Sequence, residues 1–113
     1  MLERVYHGRG INSPGQLDLS LEQLLAPTLL LNADRAAVLL ADALARDDRI
    51  VVIGDFDADG ATSTTLAVAA LRALGGRHVD YLVPNRFEYG YGLTPEIVAL
   101  AADSKPDLII TVD

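Results

Sequence analysis

Ile50-Val51-Val52-Ile53 is an unbroken apolar, β-branched run with no polar alternation, the pattern of a strand buried on both faces. From there the chain switches repeatedly between two periods, predicting strand 50–54, a helix over about 62–74, strand 79–83, a helix over about 94–103 and strand 108–112. Gly75-Gly76 closes the first of these helices. Thr94-Pro95-Glu96 gives the second an N-cap, a first-turn proline and an acidic first turn. Upstream, strong helix formers and an apolar stripe through Ala37, Leu40, Ala41 and Leu44 predict a helix over 34–45. Residues 1–33 read as a mixed lead-in, with turn signals at Gly8, Gly10 and 12–15 and a short helix near 20–25 that Pro27 ends.

Strand–helix–strand–helix–strand predicts an α/β fold: a three-layer, open parallel sheet preceded by a helical N-terminal lead-in. The expected division is a lead-in and helix over 1–46 and a sheet domain over 47–113. In such sheets ligands bind beyond the carboxyl ends of the strands, where strand order reverses. An order of 2-1-3 would bring the ends of the first and third strands together.

Composition narrows the class without naming a chemistry. Half of the 113 residues are apolar, which suits a packed segment. A net charge of −7 argues against a general DNA-coating surface, although metal-binding acids would account for part of it. With no cysteine there is no disulfide framework and no thiolate metal site, so a cytoplasmic setting is expected. No apolar run has the length of a membrane span, and the first residues lack the apolar core of a secretion signal, so no membrane partner is expected.

Chemistry concentrates where the first strand ends, at Asp55-Phe56-Asp57-Ala58-Asp59-Gly60. Three carboxylates in alternation repel one another unless a cation offsets them. Hard oxygen donors without Cys or a dense His set favour Mg²⁺ or Mn²⁺. The stretch also matches the opening of an EF-hand loop, but the twelfth position would be Leu66 where a glutamate is needed, and the segment follows a strand. A phosphatase-type nucleophilic aspartate fits poorly, because Asp59 occupies the place of its Thr or Val. A plain helix cap at Asp59 or Thr62 would need one acid, not three. Asp113 follows another apolar run, Leu108-Ile109-Ile110-Thr111-Val112, and reads as a second acid at a strand end.

Taken together, Val52-Ile53-Gly54-Asp55-Phe56-Asp57-Ala58-Asp59-Gly60-Ala61-Thr62-Ser63 resembles motif I of the DHH phosphoesterases, in the form found in their single-strand-specific 5′→3′ DNA exonucleases. Ile109-Ile110-Thr111-Val112-Asp113 resembles motif II, and the segment from Tyr81 to Leu93 is similar to the stretch downstream of motif I in those exonucleases. The resemblance covers nearly all of the chain but only the first part of such an enzyme: Asp-His-His, the third motif, is absent, and residues 1–113 alone are expected to be inactive. It implies that Asp57, Asp59 and Asp113 are catalytic metal ligands, with Asp55 close by as a further member of the metal site. It further implies a two-ion Mn²⁺ or Mg²⁺ site hydrolysing phosphodiesters in DNA repair and recombination. The implied partners are single-stranded DNA and, for the whole protein, a single-strand-binding protein and a helicase. The wider superfamily often has a histidine four residues before the second acid; Ile53 stands there instead. A small-substrate phosphoesterase and a non-catalytic remnant are the competing readings.

Around the acids, Arg86 is the candidate phosphate contact, with a surface ion pair as its alternative. Tyr89-Gly90-Tyr91-Gly92 reads either as a loop whose glycines let backbone approach a phosphate while its tyrosines stack on bases, or as an ordinary loop into the Thr94 cap. Thr62 and Ser63 are expected at a helix N-terminus facing the same site, as caps or substrate contacts. Loss of one acid is expected to relieve repulsion and leave the fold intact.

Overall fold

The structure, a computed structural model, describes residues 2–112 and divides into two units, one running to Asp34 and the other starting at Arg35. The break falls within the first turn of the helix Ala33–Ala45. In the first unit, α1 (Leu2–Gly8) and three-residue or four-residue 3₁₀ turns at Pro14–Leu17, Leu21–Gln23 and Pro27–Leu29 bury no residue. The helix expected near 20–25 is only the middle one of these turns. Ser20 and Pro27 leave too few residues between them to repay helix nucleation. Local bonds hold the turns: Gln16 Oε1 accepts from the backbone N–H groups of Asn12 (2.7 Å) and Ser13 (3.1 Å).

The second unit is built on three parallel strands, β1 (Ile50–Ile53), β2 (Val79–Leu82) and β3 (Leu108–Thr111), in the order β2-β1-β3. Ile50 pairs with Val79 on one side and Leu108 on the other; Ile53 pairs with Leu82 and Thr111. Every residue of β1 is buried, as an unalternated β-branched run requires. Ile50 and Val52 face α2 (Ala33–Ala45) and α3 (Ala58–Ala73), meeting Ala43, Val68 and Leu71. Val51 and Ile53 face the other way, onto Ile97 and Ala101 of α5 (Pro95–Ala102). Two crossovers of one hand that run in opposite directions along a sheet place their helices on opposite faces. The expected three-layer, open parallel sheet is what forms.

Two details depart from the sequence reading. On α2 the face toward the core is Leu40, Ala43 and Leu44, while Ala37 and Ala41 are exposed. More consequentially, α3 begins at Ala58, about a turn before the expected start at 62, because Asp57 caps it by accepting from the Gly60 N–H at 3.1 Å. Thr62 and Ser63 are thus inside the helix. Their hydroxyls donate to the carbonyls of Ala58 (2.9 Å) and Asp59 (2.6 Å), so neither is the cap.

Glycine makes the β1–α3 turn possible. A Cβ at Gly60 would sit 2.7 Å from the Asp55 carbonyl carbon, and one at Gly54 would overlap Thr64 Oγ1, a buried hydroxyl with no hydrogen-bond partner among the described residues. Gly54→Ala is expected to cost about 1–3 kcal/mol through overpacking. Gly54→Ala with Thr64→Ala should recover most of that loss, because the clash is with the threonine side chain. Urea unfolding of the two variants beside the parent checks both; equal loss in single and double variants would place the strain elsewhere.

Candidate metal and phosphodiester site

Beyond the carboxyl ends of all three strands lies a small cavity of about 60 Å³, lined by Ile53, Gly54 and Asp55 after β1, Pro84 after β2, and Thr111 and Val112 at β3, among others. Topology puts it there. The N–H of Val112 donates to the Ile53 carbonyl at 3.0 Å, so β3 runs beside β1 to its end. Asp113 lies outside the described residues.

The three motif acids turn out to be inequivalent. Asp55 is partly buried; its Oδ1 accepts from the Phe56 N–H at 2.7 Å and its Oδ2 pairs with Arg86 Nη2. Arg86 chiefly, and that N–H next, hold the Asp55 carboxyl below the usual carboxylate range. Asp57 caps α3 with Oδ1, and its Oδ2 lies 3.4 Å from Arg86 Nη2. Asp59 is exposed in the first turn of α3, where the helix dipole favours negative charge. Among the described residues no three His, Cys, Asp or Glu side chains converge as a metal-binding set. The donors that fit a hard divalent ion are carboxylates, all-oxygen and at the strand end; of the three acids, Asp55 is the one paired most closely with the arginine. Because Asp57 is also a cap, its removal is expected to cost about 1 kcal/mol of helix stability, which opposes the relief of repulsion.

Arg86 opens α4 (Arg86–Tyr89), a single turn capped by Asn85, whose side chain accepts from the Phe87 N–H at 3.1 Å. Its side chain is only 15% exposed, so the surface ion pair considered for it is instead a half-enclosed one. Asp55, first among the causes, raises the arginine's pKa and keeps it cationic. The guanidinium lies between the rings of Phe56 and Tyr91, each centroid 4.0 Å from its carbon.

Tyr89 and Tyr91, expected to act alike, face different surroundings. Tyr89, the last residue of α4, packs against the Val51, Ile53 and Ile97 cluster, whereas Tyr91, beyond Gly90, is 74% exposed over the arginine. Gly90 and Gly92 have φ of +76° and +73°, and a Cβ at either would meet nothing within 4 Å. Backbone conformation, not close approach, requires glycine there. Phe56 and Phe87, stacked with centroids 6.4 Å apart, escaped the sequence reading. The available signal was an aromatic residue wedged between two motif acids.

The depressed Asp55 carboxyl sets a pH dependence. A group with a lowered folded-state pKa adds stability above its unfolded value, here near 3.8, and loses it as pH falls through the folded value. Asp55→Asn is therefore expected to be less stable than the parent at neutral pH, with the gap closing below about pH 4. Urea midpoints measured from neutral to acid pH check this; a gap independent of pH would count against the pair.

Comparison with known proteins agrees with the fold. Residues 49–113 match the DHH family, N-terminal domain. Over all 113 residues the chain is 56% identical to the single-stranded-DNA-specific exonuclease RecJ of Dickeya dadantii and 49% identical to that of Escherichia coli, spanning 20% of each. A crystal structure of exonuclease RecJ bound to manganese superposes with a TM-score of 0.71 at 43% identity, over 80% of this chain and 23% of that one. RecJ of Thermus thermophilus in complex with Mn²⁺ gives 0.66 at 35% identity, over 96% of this chain and 14% of that one. The chain thus spans about a fifth of the length of the curated relatives it matches. On the match over its sheet unit, this chain belongs to the DHH family.

Proposed function

We propose that this chain forms the first part of a metal-dependent, single-strand-specific 5′→3′ DNA exonuclease acting in DNA repair and recombination. The observation that carries the reading is the convergence of an acidic turn and the end of β3 at one strand-end cavity, in a chain 56% identical to a RecJ along its whole length. Asp57, Asp59 and Asp113 would hold divalent ions, Mn²⁺ or Mg²⁺, as a two-ion site. Such ions activate a water and neutralise the leaving oxygen, so no nucleophilic side chain is required. Single-stranded DNA is the proposed substrate, with a single-strand-binding protein and a helicase as the partners of the whole protein. The manganese bound by two similar RecJ proteins supports the choice of metal class. A cytoplasmic setting is the corresponding location, supported by the lack of cysteine; among the described residues no single helix is long and apolar enough to cross a membrane.

The chain's own residues set the stage for that chemistry. Asp57 and Asp59 are presented by a turn that Gly54 and Gly60 keep tight, and the α3 N-terminus adds its dipole. Arg86 places a permanent cation beside the acids, and Thr62 and Ser63 lie one turn further along α3.

In the full-length protein, Asp57→Asn and Asp59→Ala are expected to abolish nucleotide release from 5′ single-stranded ends, while Asp55→Ala, which touches Arg86, loses about 10- to 100-fold. Residues 1–113 alone should release nothing. Exonuclease rate and DNA affinity, measured side by side at fixed salt and Mn²⁺, test the set. Near-normal cleavage by Asp57→Asn or Asp59→Ala would mean that the metal site lies elsewhere.

A further inference from the structure

Arg86 is held by rings as much as by charges. Its guanidinium is sandwiched at 4.0 Å between Phe56 and Tyr91. Its Nη2 reaches both Asp55 and Asp57, while its Nε is buried without a hydrogen-bond partner among the described residues. With Nε unbonded, the guanidinium is held by its Nη2 contacts, by the Tyr91 side chain and by the two rings it lies over. Each ring arrives from a different segment, Phe56 from between the two acids it overlooks and Tyr91 from between glycines in the left-handed region. Phe56 is itself backed by Phe87, at an interplanar angle of 28°. A lysine could supply the charge but not the flat, doubly stacked fork.

We infer that Phe56 and Tyr91 are positioning residues: their rings clamp Arg86 flat, and through its Nη2 they hold the Asp55 and Asp57 carboxylates in the arrangement that metal binding uses. The inference rests on the function proposed above. It differs from the simpler use of exposed aromatics beside a phosphodiester site, stacking on bases, because the ring faces nearest the acids are already occupied by the guanidinium.

The test uses the full-length protein and two readouts. Phe56→Leu and Tyr91→Leu should each weaken Mn²⁺ binding about tenfold by isothermal titration calorimetry. Each should also lower kcat on single-stranded DNA about tenfold, with DNA affinity changed less than about threefold. Phe56→Tyr should restore both quantities. In an Arg86→Lys background neither leucine substitution should add a further loss, since the rings act through the arginine. Weaker DNA binding by Phe56→Leu with Mn²⁺ affinity and kcat unchanged would overturn the inference and assign the rings to bases. Full additivity with Arg86→Lys would overturn it too. A protein whose Mn²⁺ affinity responds to Phe56→Leu as expected, yet which hydrolyses no single-stranded DNA, would support the clamp while refuting the proposed function.

Discussion

β1 has no solvent face, and most of the second unit follows from that constraint. Its four residues are between 0% and 6% exposed, so each side of the strand must be covered by a separate helical layer and each edge by another strand. Burying side chains of this size is worth roughly 1.5–3 kcal/mol apiece, which makes β1 the strongest local determinant of the sheet. A strand so enclosed can present polar groups only where it ends. The acids therefore begin one residue past Gly54, at the carboxyl edge that the parallel arrangement leaves open.

At that edge the structural difficulty is charge, and it is met by several means at once. Asp55 has an arginine partner, Asp57 bonds to the helix backbone, and Asp59 sits in the first turn where the dipole is favourable. Exposed ion pairs contribute little, but the Arg86 side chain is only 15% exposed and lies over two rings, which reduces the entropy cost that usually cancels such a pair. The acidic turn is thus braced by groups of the chain itself.

The tightness of the turn has the same origin. Asp57 can cap α3 only if the helix starts at once, and an immediate start brings Gly60 against the Asp55 backbone. The D-x-D-x-D-G spacing is therefore set by packing as well as by metal chemistry. The one-turn error in the expected helix start came from treating the acids as a loop, when one of them was the cap.

Period and propensity alone identified β1 to β3, α2, α3 and α5, because hydrophobic patterning of buried strands and the Thr94-Pro95 and Gly75-Gly76 boundary signals are local. The acids were legible for the same reason: like charges adjacent in sequence must be adjacent in space. Local signals could not decide the roles of individual side chains beyond the strands. Tyr89 and Tyr91 are two residues apart in a similar setting, yet one joins the core and the other covers Arg86, because α4 ends at Tyr89 and Gly90, with its positive φ, redirects the chain between them. Likewise the pairing of Asp55 with Arg86 spans 31 positions and depends on β1 and β2 lying in register. Strand order, helix faces and the cation–ring contacts are all long-range, so only the tertiary structure decided which acids meet the arginine and which is left exposed.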